Sequence, residues 1–120
     1  MKKITLIILA ITVFVTLSGC KNNPSLDEFA ECITEKGATL YGTYWCGNCK
    51  KQKELFGDSL SKINYVECDP RGENANAALC TVKNVERVPM WEFADGTTTI
   101  GVSELETLAD KTGCELPENF

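Results

Sequence analysis

Histidine is missing from all 120 residues, which removes the usual nitrogen ligand of a zinc site. Nor do the seven cysteines repeat a short metal-ligand spacing after Cys46 and Cys49, so no metal is expected. Basic charge is scarce, 12 Lys and Arg against 17 Asp and Glu, which argues against nucleic acid as a partner. A long apolar run is also lacking: "ITLIILAITVFVTL", residues 4–17, falls short of the roughly 20 residues a spanning helix needs. There is no internal repeat and no low-complexity stretch.

What is present begins with Lys2 and Lys3, then that uncharged run, then Ser18, Gly19 and Cys20, the order of an export signal. "LSGC", Leu17 to Cys20, resembles a bacterial lipobox, which implies cleavage before Cys20 and lipidation of its thiol. The expected organisation is a signal peptide over 1–19, the lipidated cysteine and a polar linker over 20–24, and one domain over 25–120. Several acyl chains hold a protein at a membrane far better than one. An uncleaved run would tether the domain too, so the expected location is the extracytoplasmic face of the cell membrane. Lipidation of Cys20 leaves six cysteines, which can pair completely, and such a density in a small chain suits an oxidising compartment.

Ser25 and Glu28 read as a capping box for a first helix, with Leu26, Phe29, Ala30 and Ile33 at helical spacing and Gly37 as the stop. Ala38 to Trp45 is rich in β-formers and reads as a buried strand followed by a helix. Ile63 to Cys68 is a second strand, and Asn74 to Cys80 a short asparagine-capped helix. Pro89–Phe93 and Thr97–Ile100 flank Asp95-Gly96, a hairpin signal, and should pair antiparallel. Ser103 and Glu106 read as another capping box, for a last helix that Gly113 ends.

"WCGNC" puts Cys46 where a strand gives way to a helix, among unpaired N–H groups and the positive end of the helix dipole. A thiolate is favoured there, which makes the sulfur a good nucleophile and a good leaving group. Cys49, one turn on, faces the same way and can close a disulfide with it. Gly47 and Asn48 lie between them and tune the pair, and Trp45 is expected to offer an apolar platform to a peptide. Lys50 and Lys53 read as an ordinary solvated helix face. Tyr41, Tyr44, Phe56, Trp91 and Phe93 are expected in the core or at the rim of the site, with no cofactor box among them.

"WCGNC" after a strand, with "VPMWEF" some forty residues later, resembles a thioredoxin-fold oxidoreductase. The resemblance implies a thioredoxin-like α/β fold: a central mixed sheet of about four strands flanked by helices. It further implies a cis bond at Val88-Pro89, a loop facing Cys46, and a Val88 backbone that pairs with an incoming polypeptide. "LYGTYWCGNCKKQKELFG", "YVECDP", "ALC" and "VPMWEF" resemble, in order and spacing, the thioredoxin-like domain associated with bacterial vitamin K epoxide reductase homologues. In that family a membrane enzyme passes electrons from the domain to a quinone. The implied activity is oxidation of thiols in exported polypeptides through Cys46 and Cys49, with a separate membrane oxidase as partner. No bound cofactor is expected, and the domain is expected to be a monomer. Many family members carry proline and histidine between the cysteines. Many thioredoxins bury an acid six residues before the first cysteine, where Leu40 stands here. Glu92 is a candidate to replace it, although a strand glutamate more often faces solvent.

With Cys46 and Cys49 paired, the remaining four cysteines allow three connectivities. Cys68 with Cys80 is the pairing the family resemblance associates with a disulfide. Cys32 with Cys114 would then tie the two ends of the domain. The alternative for Cys32 is a small buried core residue. A lipoprotein reductase or isomerase, and a stapled binding lipoprotein without turnover, stand as the competing functions.

Overall fold

The computed structural model describes residues 25–118 and 120; the expected signal segment 1–19, Cys20 and the linker to residue 24 lie outside the described residues. Helix α1 (Asp27–Glu35) leads into strand β1 (Thr39–Gly42), helix α2 (Gly47–Phe56) and a 3-10 segment (Gly57–Lys62). Strand β2 (Tyr65–Glu67), helix α3 (Ala77–Val82), strands β3 (Met90–Glu92) and β4 (Thr98–Ile100), and helix α4 (Leu105–Thr112) follow. The element order is the expected one with the 3-10 segment added. Among the described residues no helix is long and apolar enough to cross a membrane.

The strands form one mixed sheet in the order β2-β1-β3-β4. β1 runs parallel to β2 and antiparallel to β3, and β3 pairs antiparallel with β4 across Asp95-Gly96. Because side chains alternate along a strand, β1 and β3 each feed two cores. Leu40 and its partner Trp91 face α1, α2 and α4, packing with Phe29, Ile33, Phe56, Leu105 and Leu108. Tyr41 and its partner Met90 face the opposite way, onto Cys80 and the α3 region. Each large apolar side chain buried in this way stabilises the fold by about 1.5–3 kcal/mol.

Four expectations of detail are corrected. Neither capping box forms: Leu26 and Glu104 hold the N-cap positions of α1 and α4 without a side-chain cap. Ser25 accepts from the nearby Asp27 N–H instead, while the Ser103 hydroxyl pairs with Thr99 and the Ser103 backbone is held by Gln52. The expected strand through Trp45 stops at Gly42, because the chain must turn to bring Cys46 to the start of α2. Cys80 does not end its helix, which runs on to Val82 with Asn76 as its cap.

Gln52 is wholly buried in the middle of α2, and its amide makes two bonds to one residue. Its Nε2 donates to the Ser103 carbonyl at 3.0 Å, and its Oε1 accepts the Ser103 N–H at 2.7 Å. A buried amide left unpaired would cost about 1–3 kcal/mol, so the pairing fixes α2 against the loop before α4. Two disulfides complete the frame: Cys32–Cys114 closes a separation of 82 residues and Cys68–Cys80 one of 12. The open alternatives for these four cysteines are thereby resolved, and Cys32 is not a free core residue.

Candidate active site

Cys46 and Cys49 are the free cysteines of the described chain. Cys46 is the N-cap of α2, with extended backbone, and its sulfur accepts the Cys49 N–H at 3.2 Å. A sulfur in this role takes the place a serine or aspartate oxygen fills at most helix starts. Its own S–H points to the Val88 carbonyl at 3.8 Å, and the Val88-Pro89 peptide is cis. Pro89 is buried and Val88 partly exposed, so the loop before β3 closes over one side of Cys46. Gly47 and Asn48 are exposed on the other side.

Only two residues separate the two cysteines in sequence, but the surroundings of their sulfurs differ sharply. Cys46 is partly open to solvent, whereas Cys49 is only 1% exposed. Burial first, then the hydrogen bond with Cys46, pushes the Cys49 thiol up to about 12; a Thr43 backbone hydrogen bond and the charge of Lys53 pull it back in part. The outer sulfur is therefore the one a second molecule can reach, and the inner one keeps its proton.

Trp45 is 62% exposed, and its Nε1 donates to Asp69 Oδ2 at 2.7 Å. Asp69 also holds Arg71 as a bidentate pair, and that guanidinium, with the Arg71 N–H and Trp45, keeps the Asp69 carboxyl well below the usual carboxylate range. The indole is thus a polar-anchored ledge beside Cys46, not a free apolar platform. Tyr44 extends the ledge, also exposed. Lys53 departs from the solvated-face reading: its Nζ sits 3.8 Å over the Tyr65 ring. Lys50 fits that reading, with an exposed Glu54 partner 3.9 Å away.

Leu40 is buried in the apolar core, and Glu92 is paired with Lys83 at 2.8 Å, so Glu92 is engaged by a cation on the face away from the Cys49 sulfur. A buried acid on the α2 side of the sheet comes instead from β2, opposite Gly42. Glu67 on β2 is buried, and Tyr65, two residues earlier on the same face, donates its hydroxyl to Glu67 at 2.9 Å. Sequence reasoning missed both. The signal was there in "INYVEC": a glutamate two positions after a tyrosine on a strand whose tyrosine faces the core. Among the described residues no group of three His, Cys, Asp or Glu side chains is placed to hold a metal ion.

A mixed four-stranded sheet with helices packed on it, and a cysteine pair at the start of the helix after its first strand, is the thioredoxin-like oxidoreductase fold. No protein-family model matches the chain. The chain is similar to the protein named thiol-disulfide oxidoreductase LTO1 from Arabidopsis thaliana, with 34% identity over 109 residues. The matched stretch covers 88% of this chain and 29% of that protein, so the chain spans less than a third of the relative's length.

Proposed function

We propose that this chain is a membrane-tethered, extracytoplasmic thiol-disulfide oxidoreductase that oxidises cysteines of exported polypeptides. The observation that carries the reading is the division between the two free sulfurs, one reachable at the helix start and one buried behind it. A substrate thiolate attacks Cys46 Sγ of the oxidised pair, the bond between the two protein sulfurs breaks, and Cys49 leaves with the electron pair and takes up a proton. A second substrate thiolate then attacks the substrate sulfur of the mixed disulfide and displaces Cys46, which leaves the substrate oxidised and the protein as a dithiol.

Several features support this reading. At the N-cap of α2, Cys46 Sγ accepts the Cys49 N–H, which favours its departure as a thiolate. The Val88 backbone lies beside that sulfur and leads directly into β3, a placement suited to main-chain pairing with an extended peptide. Trp45 and Tyr44 form the exposed aromatic edge over which the peptide passes. A lipid on Cys20 tethers the domain, and a quinone-linked membrane oxidase resembling vitamin K epoxide reductase restores the disulfide.

The test is the equilibrium potential of Cys46 and Cys49 against glutathione. An oxidant requires a value less negative than about −200 mV, the range of protein disulfide isomerase and stronger oxidants. A value near the −270 mV of thioredoxin reverses the direction of electron flow and makes the chain a reductase. No exchange at all makes the chain a stapled binding protein.

A further inference from the structure

The reading above leaves the inner thiol with a difficulty: Cys49 is buried, so its proton cannot pass freely to bulk water whenever its sulfur attacks or leaves. The structure puts a phenol and a carboxylate beside it. Gly42 sits where a Cβ would come 3.2 Å from Cys49 Sγ and 3.2 Å from the Tyr65 hydroxyl. Sulfur and hydroxyl are thus separated by at most twice that distance, a span that one water molecule or a small rotation closes. The hydroxyl then donates to Glu67 Oε2 at 2.9 Å. Glu67 is held from the other side by the Asp69 N–H at 2.9 Å, and Gly72 packs so closely that any Cβ there would overlap the Glu67 side chain.

Resting on the redox reading of Cys46 and Cys49, we propose that Tyr65 and Glu67 form the proton path of the inner thiol. When Cys49 attacks a mixed disulfide on Cys46, its S–H proton passes to the Tyr65 oxygen as the Tyr65 proton passes to Glu67. The Cys49–Cys46 bond forms, and the substrate leaves as a thiolate with the electron pair. In the oxidising direction the sequence reverses: Cys49 departs as a thiolate and Glu67, through Tyr65, returns the proton. Burial, then the Glu67 hydrogen bond, pushes the Tyr65 phenol far up, so it serves as a neutral donor and acceptor throughout. The charged and titratable groups facing the path are Lys53, stacked on the Tyr65 ring, Cys46 and Cys49 from α2, and Glu67 itself. The Asp69 carboxylate is turned away onto Arg71 and Trp45.

The experiment mixes the reduced full-length protein with oxidised glutathione and follows two steps by rapid quenching and mass spectrometry. The first, attack by Cys46, gives a glutathione adduct; the second, attack by Cys49, is independent of glutathione concentration and releases it. Tyr65→Phe, which keeps the ring, and Glu67→Gln, which keeps an acceptor for the Asp69 N–H, are compared with the unaltered protein from neutral pH to about pH 10. General acid-base assistance is worth about a hundredfold or more, so the second step should slow by at least tenfold in both variants near pH 7. It should recover toward the unaltered rate as hydroxide takes over, with the first step unchanged. A second step unchanged in both variants overturns the proton path. So does an equal slowing of both steps at every pH, which would assign the pair to structure alone. Failure of the unaltered protein to form any adduct refutes the redox reading itself.

Discussion

The two ends of β1 make the useful comparison. Before its start, α1 carries Cys32, bonded to Cys114 beyond α4; after its end, the chain turns to Cys46 and Cys49, which stay free. The first pair joins segments that pack side by side, so the bond adds a tie to an existing contact. The second pair sits within one helical turn, where a bond closes almost no loop and contributes little chain entropy. A disulfide that stabilises little is one that can be exchanged. The difference teaches that a cysteine's role follows from what its bond would constrain and who can reach it.

The largest expected effect separates the two regions completely. Cys46→Ser should abolish thiol-disulfide turnover while leaving the denaturation midpoint nearly unchanged, which a turnover assay and a denaturant titration on the same sample check. Replacing Cys32 and Cys114 together by alanine should do the reverse. The chain-entropy model gives about 4–5 kcal/mol for a loop of that length, and the folded fraction should keep its Cys46 reactivity. Removing Cys68 and Cys80 together should cost less, about 3 kcal/mol, because the closed loop is shorter. Activity lost in parallel with stability in either double variant would break the comparison.

Gln52→Ala should cost about 2–3 kcal/mol by leaving the Ser103 amide and carbonyl unpaired in the interior, measured as the shift in urea midpoint at constant slope. Alkaline titration sharpens the contrast within the active pair. The folded Cys49 thiol lies near 12 against an ordinary 9.0, so between those values the folded dithiol binds more protons than the unfolded chain. Its contribution is complete below pH 9 and is lost as pH rises toward 12. The oxidised protein lacks this contribution and should show a shallower alkaline loss of stability, since the raised tyrosine phenols and the raised ammonium groups of Lys62 and Lys83 still act in that direction but the Cys49 thiol does not. Trp45→Ala is the smallest effect, less than about 1 kcal/mol for an exposed side chain, and should appear chiefly as weaker binding of a peptide thiol.

Much of this was readable in the sequence because local signals carried it. Asp95-Gly96 set the β3-β4 hairpin, Gly113 stopped α4 with a positive φ, and the strand-to-helix passage around "WCGNC" located Cys46. The second capping box misled because the Ser103 N–H goes to Gln52, 51 residues away, and its hydroxyl to Thr99, and tertiary pairing outranks a local cap. Tyr65 and Glu67 escaped for the same reason. Their link to Cys49 depends on Gly42 letting α2 approach β2, a contact between residues adjacent only after the sheet forms.

The most direct test of the account is a covalent trap. Cys49→Ser, expressed in cells, should accumulate polypeptides joined to Cys46 and released by reductant, whereas a variant with both positions changed to serine should carry none. Equal recovery from the two variants, or adducts mapped to any cysteine other than Cys46, would contradict it.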